Sequence, residues 1–196
     1  MSARRLVLAS ASPARLGLLR AAGLDPEVLV SGIDENLECG SVRELVHELA
    51  VRKARAVTPP PGALVVGCDS LLELDGQALG KPATAEVALA RWQRMRGRTG
   101  TLLTGHCVLD TATGRQASAV AGTAVRFGSP SDEELAAYVA SGEPLQVAGG
   151  FTLDGRSAPY VDGIDGDPGT VIGLSLPVLR TLLAELGIAI HELWAT

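Results

Sequence analysis

The chain has 196 residues, of which 46% are hydrophobic, 20% are charged and only 3% are aromatic, and its formal net charge is −5. This length and apolar content suit one sizeable core or one domain with two lobes. The negative charge and the shortage of aromatic side chains argue against a nucleic-acid-binding protein, which needs a basic surface and stacking platforms. No apolar stretch reaches the about 20 residues of a membrane-spanning helix, so we expect a cytoplasmic protein with no nucleic-acid or membrane partner.

Residues 6–23 predict a strand, a polar turn and a helix. Ser12 is a suitable N-cap and Pro13 fits the first helical turn. The start of a helix presents unpaired N–H groups and the positive end of the helix dipole, which favour an anion. Ser10 and Arg15 add a hydroxyl donor and a positive charge at the same place. The pattern fits a phosphate site, although a capped helix with one solvated arginine would satisfy the same local rules.

The next elements follow in chain order. A capping box from Ser41 to Glu44 starts a helix that we expect over residues 42–57. Residues 63–70 predict a buried strand that ends in polar residues. The Asp-Gly pair at 75–76 lies between apolar stretches and predicts a two-residue hairpin turn.

Strands and helices also mix in the second half of the chain. The expected elements are a helix over 84–96, strands over 97–110 and 114–127, a helix between a capping box of Ser131 with Glu134 and the terminating Gly142, a turn-rich segment over 143–176, and a last helix over 177–186. Because the strands and helices do not alternate strictly, we expect an α/β or α+β domain with a mixed central sheet and flanking helices.

Lys53 and Lys81 are the two lysines among 17 basic residues. Lys53 falls within the apolar stripe that Val46 and Leu49 form on the 42–57 helix. An ammonium in that position either snorkels to an edge or meets a buried anion. Lys81 lies in a Gly-Lys-Pro turn, where it is either a ligand-binding residue or an ordinary exposed lysine.

The candidate carboxylates come from two separate places in the chain. Asp69 directly follows the apolar residues 64–68, so we expect it at the end of a central strand, where α/β folds place ligand sites. Glu35 stands beside Asp34 in an acidic loop. Two carboxylates suit Mg²⁺, which completes its shell with water and phosphate oxygens. Together with the basic residues, they predict a site for metal-bound polyphosphate.

Nine short motifs occur in the order SASPAR (10–15), GIDE (32–35), RKA (52–54), GCDS (67–70), LGKP (79–82), GRTGTLLTG (97–105), SGEP (141–144), AGGF (148–151) and VIGL (171–174). In this order they resemble Maf proteins over nearly the whole chain. The resemblance implies a Maf/inosine-triphosphatase-like α/β fold, with one domain over residues 1–196, two lobes around one active-site cleft, and a homodimer. It also implies a cytoplasmic nucleoside triphosphate pyrophosphatase, which releases pyrophosphate and leaves a nucleoside monophosphate.

The resemblance also implies roles for individual residues. Asp69 matches the family's proposed general base and metal-associated aspartate, and Glu35 matches the acidic residue of its Asp-Glu pair. The positions that match phosphate-binding residues of the family are Ser10, Ser12, Arg15, Lys53 and Lys81. The implied cofactor is a divalent cation, Mg²⁺ or Mn²⁺.

The chain departs from the family pattern at several positions. Ala14 replaces the first of two arginines, so Arg15 acts alone or with help from Arg98. Ser70 and Asp154 stand where the branch acting on dTTP and UTP commonly has threonine and glutamine. The branch acting on 7-methyl-GTP often has an acidic residue where Asp154 stands, but its glutamine after the catalytic aspartate is missing. The base preference therefore stays open, and a modified or non-standard nucleotide would fit the family's housecleaning role.

The resemblance carries one alternative, a non-catalytic regulator of septum formation and cell division. A protein that only bound partners would have no need for the carboxylates Asp69 and Glu35 in register with Lys53 and Lys81. Their presence favours an enzyme.

Overall fold

The computed structural model describes residues 4–195, and within them a seven-stranded sheet is combined with α-helices and short 3₁₀ helices. The strands are β1 (Leu6–Leu8), β2 (Glu27–Val28), β3 (Leu64–Leu74), β4 (Gln77–Leu79), β5 (Thr99–Asp110), β6 (Gln116–Phe127) and β7 (Val161–Asp165). The α-helices are α1 (Pro13–Ala21), α2 (Val42–Ala56), α3 (Ala85–Met95), α4 (Asp132–Ala140), α5 (Pro168–Ile172) and α6 (Leu176–Glu185). The 3₁₀ helices cover Glu143–Gln146, Ala148–Gly150, Ala158–Tyr160 and Ile190–Leu193.

The strand order in the sheet is β2-β1-β3-β5-β6-β7, and β4 pairs with β3. Strand β1 runs parallel to both β2 and β3, whereas β4 is antiparallel to β3 and β7 is antiparallel to β6. The predicted α/β class with a mixed sheet is therefore confirmed. Among residues 4–195, no helix combines the length and the apolar character that crossing a membrane requires.

The chain divides into two compact units, and the first contains residues up to Asp69 together with 104–121 and the segment from Gly173 onward. Side chains of β3 alternate between its two faces, as in any strand. Leu64 and Val66 belong to a core that α1 and α6 cover, whereas Val65 belongs to a core that α2 covers. Both faces of this part of the sheet are thus buried, which explains the uninterrupted apolar sequence.

The second unit contains residues 70–103 and 122–172, and its core is built around Trp92 on α3. The indole makes edge contacts with Phe127, Tyr138 and Tyr160, with ring centroids 5.6 to 6.1 Å apart. Its Nε1 donates a hydrogen bond of 2.8 Å to the carbonyl oxygen of Gly150. Most of the protein's few aromatic side chains are therefore concentrated in one core, where each ring buries a large apolar area.

Local sequence signals located most of the boundaries correctly. The capping box of Ser131 with Glu134 is present at the start of α4. Asp75 and Gly76 both have positive φ and connect β3 to β4 as predicted. The prediction that the strand begun at residue 63 ends at residue 70 is wrong, because pairing with β4 extends β3 to Leu74.

Among the strands and α-helices of residues 4–195, three short elements escaped prediction: β2, β7 and α5. Each has only two to five residues, too few to show a period in the sequence. Strand β2 is exposed, and it forms because it pairs with β1. Such elements depend on tertiary neighbours more than on local propensity.

The ion pair of Arg4 with Asp110 leads to a prediction about acid stability. Besides the guanidinium, Asp110 accepts hydrogen bonds of 2.9 Å from Ala112 N and Thr113 Oγ1. These interactions, that with Arg4 foremost, lower the pKa of Asp110 to about 2. Because the folded pKa lies below the unfolded one, the carboxylate adds stability above about pH 4, and this contribution is lost as the pH falls through about 2.

We expect Asp110→Asn to lower the free energy of unfolding by about 1–3 kcal/mol at pH 7 and by less at about pH 3. Urea denaturation of both proteins at the two pH values measures the difference. An equal loss at both pH values would show that the charge of Asp110 contributes nothing.

Candidate active site

The turn between β1 and α1 forms a polar network at the start of a helix. Ser12 is the N-cap, and its Oγ accepts a hydrogen bond of 3.4 Å from Arg15 N. The Oγ of Ser10 accepts from Ser12 N at 3.2 Å and from Arg15 Nη1 at 3.0 Å. The predicted cap is confirmed, and the structure brings these three phosphate-binding candidates together at the positive end of a helix dipole.

Arg15 is buried, which excludes the alternative of a solvated surface arginine. Its Nε donates a hydrogen bond of 2.8 Å to the carbonyl oxygen of Gly173. Gly173 has a φ of 124°, and a Cβ there would lie 3.1 Å from the same Nε. A glycine in this backbone conformation therefore lets its carbonyl approach and orient the guanidinium.

Lys53 lies between two carboxylates. Its Nζ is 2.6 Å from Asp69 Oδ1 and 2.6 Å from Glu35 Oε1. The side chains of Lys53 and Asp69 are nearly inaccessible to solvent, whereas 59% of the Glu35 side chain is exposed. Of the two alternatives that the sequence left open for Lys53, the structure supports the buried anion. A buried ammonium needs such partners because its desolvation is costly.

Two glycines allow α2 to lie close enough to the sheet for this contact. A Cβ on Gly67 in β3 would overlap the carbonyl oxygen of Ala50 and lie 2.7 Å from Ala54 N. A Cβ on Gly105 in β5 would overlap the backbone of α2 at Val46. The sequence analysis did not assign these glycines a role, although an isolated glycine inside a strand is a signal of close backbone approach.

The prediction that Asp69 lies at the end of a strand is wrong, because it occupies the middle of β3. Asp69 shares the α2 side of the strand with Gly67, two residues away, because side chains alternate. Burial raises the pKa of the Asp69 carboxyl, while Lys53 and Arg15 oppose the rise. The carboxylate is thus a stronger base than an exposed aspartate, and Arg15 is close enough to act on its charge.

Cys68, the neighbour of Asp69 in β3, points to the opposite face of the strand. It packs in the apolar core that contains Leu64 and Val66, and its thiol is fully buried. Burial raises the pKa of that thiol to about 12. A thiol of such high pKa stays protonated at neutral pH and is a poor nucleophile. The reactive chemistry of this part of β3 therefore belongs to Asp69.

The other three candidate residues belong to the second unit, and all three are exposed. Lys81 lies in the loop between β4 and α3. Arg98 forms an ion pair through Nη2 with Asp75 at the β3–β4 hairpin. Asp154 lies in the segment between the 3₁₀ helices Ala148–Gly150 and Ala158–Tyr160. Their roles toward a substrate stay predictions.

The described part of the chain contains no group of three histidine, cysteine, aspartate or glutamate side chains arranged to hold a metal ion. Asp69 and Glu35 nevertheless each supply a hard oxygen donor, and both carboxylates contact the same side chain, that of Lys53. Mg²⁺ needs only one or two protein carboxylates when water and phosphate oxygens complete its shell. This donor set fits a cation that arrives with a polyphosphate.

Comparison with known proteins gave consistent matches. The family model described as "Maf-like protein" matches residues 5–186. A protein of Streptomyces coelicolor named nucleoside triphosphate pyrophosphatase is 70% identical, with 98% of this chain and 95% of that protein covered. A protein of the same name from Salinispora tropica is 57% identical, with 97% and 88% covered.

A solved structure of the Staphylococcus aureus Ham1 protein is also similar. It is 14% identical to this chain, and the match covers 64% of this chain and 72% of that one with a TM-score of 0.44. This similarity is too low to support a conclusion about the site.

Proposed function

The chain belongs to the Maf family, and we propose that it is a nucleoside triphosphate pyrophosphatase, which hydrolyses its substrate to a nucleoside monophosphate and pyrophosphate. The observation that carries the proposal is the contact of the buried Lys53 with Asp69 and Glu35, close to Arg15. A buried charged cluster adds little to stability, but strongly perturbed charges are frequent in catalytic sites. No observation favours the alternative of a non-catalytic regulator of septum formation.

The proposed reaction is one displacement at phosphorus. Asp69 orients a water molecule and accepts its proton at a carboxylate oxygen. The water oxygen forms a bond to the α-phosphorus, the bond from that phosphorus to the bridging oxygen breaks, and pyrophosphate leaves with the electron pair. Placement and charge stabilisation supply most of the rate acceleration in reactions of this kind.

Positive charge from the protein stabilises the phosphates in this proposal. Arg15 is held by Ser10 and Gly173, so its guanidinium is already oriented before a substrate arrives. Lys53 has three donors and two carboxylate partners, so it can direct its third donor to a phosphate oxygen. Ser12 contributes to the same helix start. These groups are preorganised, and preorganised charges stabilise a transition state most effectively.

A divalent cation, Mg²⁺ or Mn²⁺, fits the pair Asp69 and Glu35. When bound there, it would neutralise phosphate charge and act as a Lewis acid. Lys53 then has a second task in the proposal, because it keeps the two carboxylates close together when no cation balances their charge.

The remaining proposals rest on the resemblance to the family. Lys81 and Arg98 contribute positive charge toward the phosphates, and Asp154 contacts the base. The substrate is a modified or non-standard nucleotide, the enzyme serves a housecleaning role in the cytoplasm, and it is a homodimer.

The direct test is pyrophosphate release from dTTP, UTP, CTP, 7-methyl-GTP and dITP with Mg²⁺, with Mn²⁺ and with a chelator. Phosphorus NMR of the products distinguishes pyrophosphate plus monophosphate from orthophosphate plus diphosphate. We expect the first pair of products, and only with a cation present. Orthophosphate as the product, or no turnover of any substrate, would contradict the proposal.

Arg15→Lys tests the role of the oriented guanidinium. Lysine keeps the charge, but its single nitrogen cannot occupy the positions of both Nε, which donates to Gly173 O, and Nη1, which donates to Ser10 Oγ. We expect kcat/KM to fall about 10-fold to 100-fold, since hydrogen bonds to charged groups are worth about 1.5–3 kcal/mol. Arg20→Lys on the same helix is the matched control, because Arg20 is exposed and pairs with Asp25. Equal values of kcat/KM for Arg15→Lys and Arg20→Lys would show that Arg15 is not part of the active site.

A further inference from the structure

Glu143 holds together a loop in the second unit, residues 152–157. Its Oε1 accepts hydrogen bonds of 3.1 Å from Thr152 Oγ1 and 3.0 Å from Arg156 N. Its Oε2 also accepts from Arg156 N, at 3.1 Å. One carboxylate thus joins residues near the two ends of the loop. Charge-assisted hydrogen bonds of this kind are stronger than those between neutral groups.

The interior of the loop is packed around the same carboxylate. A Cβ on Gly155 would lie 2.7 Å from Glu143 Oε1, so only a glycine allows the carboxylate to come this near. Ser157 is buried, and its Oγ accepts from Thr152 N at 2.8 Å and donates to Thr152 O at 3.1 Å. These contacts close the loop on itself.

Glu143 is itself attached to the end of α4. Its backbone N donates a hydrogen bond of 3.3 Å to Ser141 Oγ, and that hydroxyl donates to Tyr138 O at 2.6 Å. Tyr138 packs in the aromatic core against Trp92. A chain of contacts therefore leads from a rigid core, through Glu143, to the loop.

Asp154 is the acidic residue that this loop carries. It lies two residues from both Thr152 and Arg156, the two residues that Glu143 binds, and its side chain is exposed. An exposed carboxylate on a closed loop can accept hydrogen bonds from a ligand without losing a partner in the protein. Its position is set by the backbone of the loop, and hence by Glu143.

We propose that Glu143 is a positioning residue for base selection: it fixes the loop that presents Asp154 to the base. This inference rests on the proposed function, in which Asp154 contacts the base. A carboxylate in a fixed place favours a base edge with two adjacent N–H donors, such as that of a guanine derivative, over a pyrimidine edge with one N–H between two carbonyls. Removing the carboxylate of Glu143 weakens the preference for the guanine derivative and leaves the phosphate chemistry unchanged.

The test compares Glu143→Gln with Asp154→Asn, using the ratio of kcat/KM for 7-methyl-GTP to kcat/KM for dTTP. Glutamine has nearly the size of glutamate but only one acceptor oxygen and no charge. We expect each variant to lower the ratio about tenfold or more, since hydrogen bonds to charged groups are worth at least one such factor. The double variant should be no worse than Asp154→Asn, because Glu143 acts through Asp154. Glu133→Gln, at an exposed position in the first turn of α4, is the control that should change nothing.

The outcomes separate the inference from its premise. Asp154→Asn without effect on the ratio would remove Asp154 from base recognition and overturn the inference with it. If Asp154→Asn lowers the ratio and Glu143→Gln does not, Asp154 still contacts the base but the role of Glu143 is overturned. An equal loss of kcat/KM for both substrates in Glu143→Gln would reduce Glu143 to a structural residue. Amide hydrogen exchange at Arg156, expected to be faster in Glu143→Gln, tests the anchor without any activity.

Discussion

Replacing Asp69 by asparagine will lower kcat for pyrophosphate release by about 1,000-fold. Of the two carboxylates in contact with Lys53, that of Asp69 is the buried one, and general-base catalysis contributes about 100-fold to 10,000-fold in comparable sites. Asparagine keeps one acceptor oxygen for Lys53 but cannot deprotonate water. Initial rates with the best substrate of the panel measure the effect.

The fold will tolerate this substitution, so the loss can be attributed to chemistry. Lys53 keeps Glu35 as a charged partner in the variant. Burial raises the pKa of Asp69, which means that its ionised form costs the folded state some stability above the ordinary pKa. The variant should therefore be about as stable as the wild type in urea. Asp25→Asn, at an exposed ion pair with Arg20, is the matched control and should keep full activity. A variant Asp69→Asn with more than about a tenth of wild-type kcat would exclude Asp69 as the base.

The raised pKa of Asp69 also predicts how the cation-free protein titrates. Burial disfavours the ionised carboxyl, so in the absence of a divalent cation its midpoint will lie above 3.8, the ordinary value for aspartate. An NMR pH titration of the Asp69 carboxyl carbon in the presence of a chelator measures this midpoint. A midpoint at or below the ordinary value would mean that burial does not dominate the environment of this carboxyl.

Gly67→Ala will have a large effect on stability, although it adds only a methyl group. That methyl would overlap the backbone of α2 at Ala50 and Ala54, and backbone atoms cannot move aside as the end of a side chain can. We expect the free energy of unfolding to fall by about 1–3 kcal/mol or more, as in other overpacked cores. Activity should fall as well, because the helix that moves carries Lys53, the partner of Asp69.

Gly17→Ala is the matched control for this substitution. Gly17 lies within α1, and a Cβ there would meet no atom within 4 Å. Alanine favours a helix over glycine by about 1 kcal/mol, so this variant should be slightly more stable than the wild type and equally active. Urea denaturation and kcat/KM of both variants measure the contrast. A Gly67→Ala variant as stable as Gly17→Ala would show that α2 is not held tightly on the sheet.

Local patterns in the sequence were enough for the features that depend on residues near one another in the chain. Ser12 and Ser131 were identified as N-caps because a cap and the backbone N–H that it binds are only three residues apart. The hairpin at Asp75 followed from the backbone preference of two residues. The position of Lys53 on the apolar side of α2 followed from the period of that helix, since the period determines which side of the helix is apolar.

The sequence by itself therefore determined the caps and turns and which side of α2 faces the core, because each of these is encoded within one element. Only the tertiary structure decided that Asp69 lies inside β3, that Lys53 contacts both Asp69 and Glu35, and that Arg15 is held by the carbonyl of Gly173, 158 residues away. Such contacts join elements that are distant in the chain. Their geometry depends on how closely backbones pack, as at Gly67, and no local pattern of residues specifies that distance.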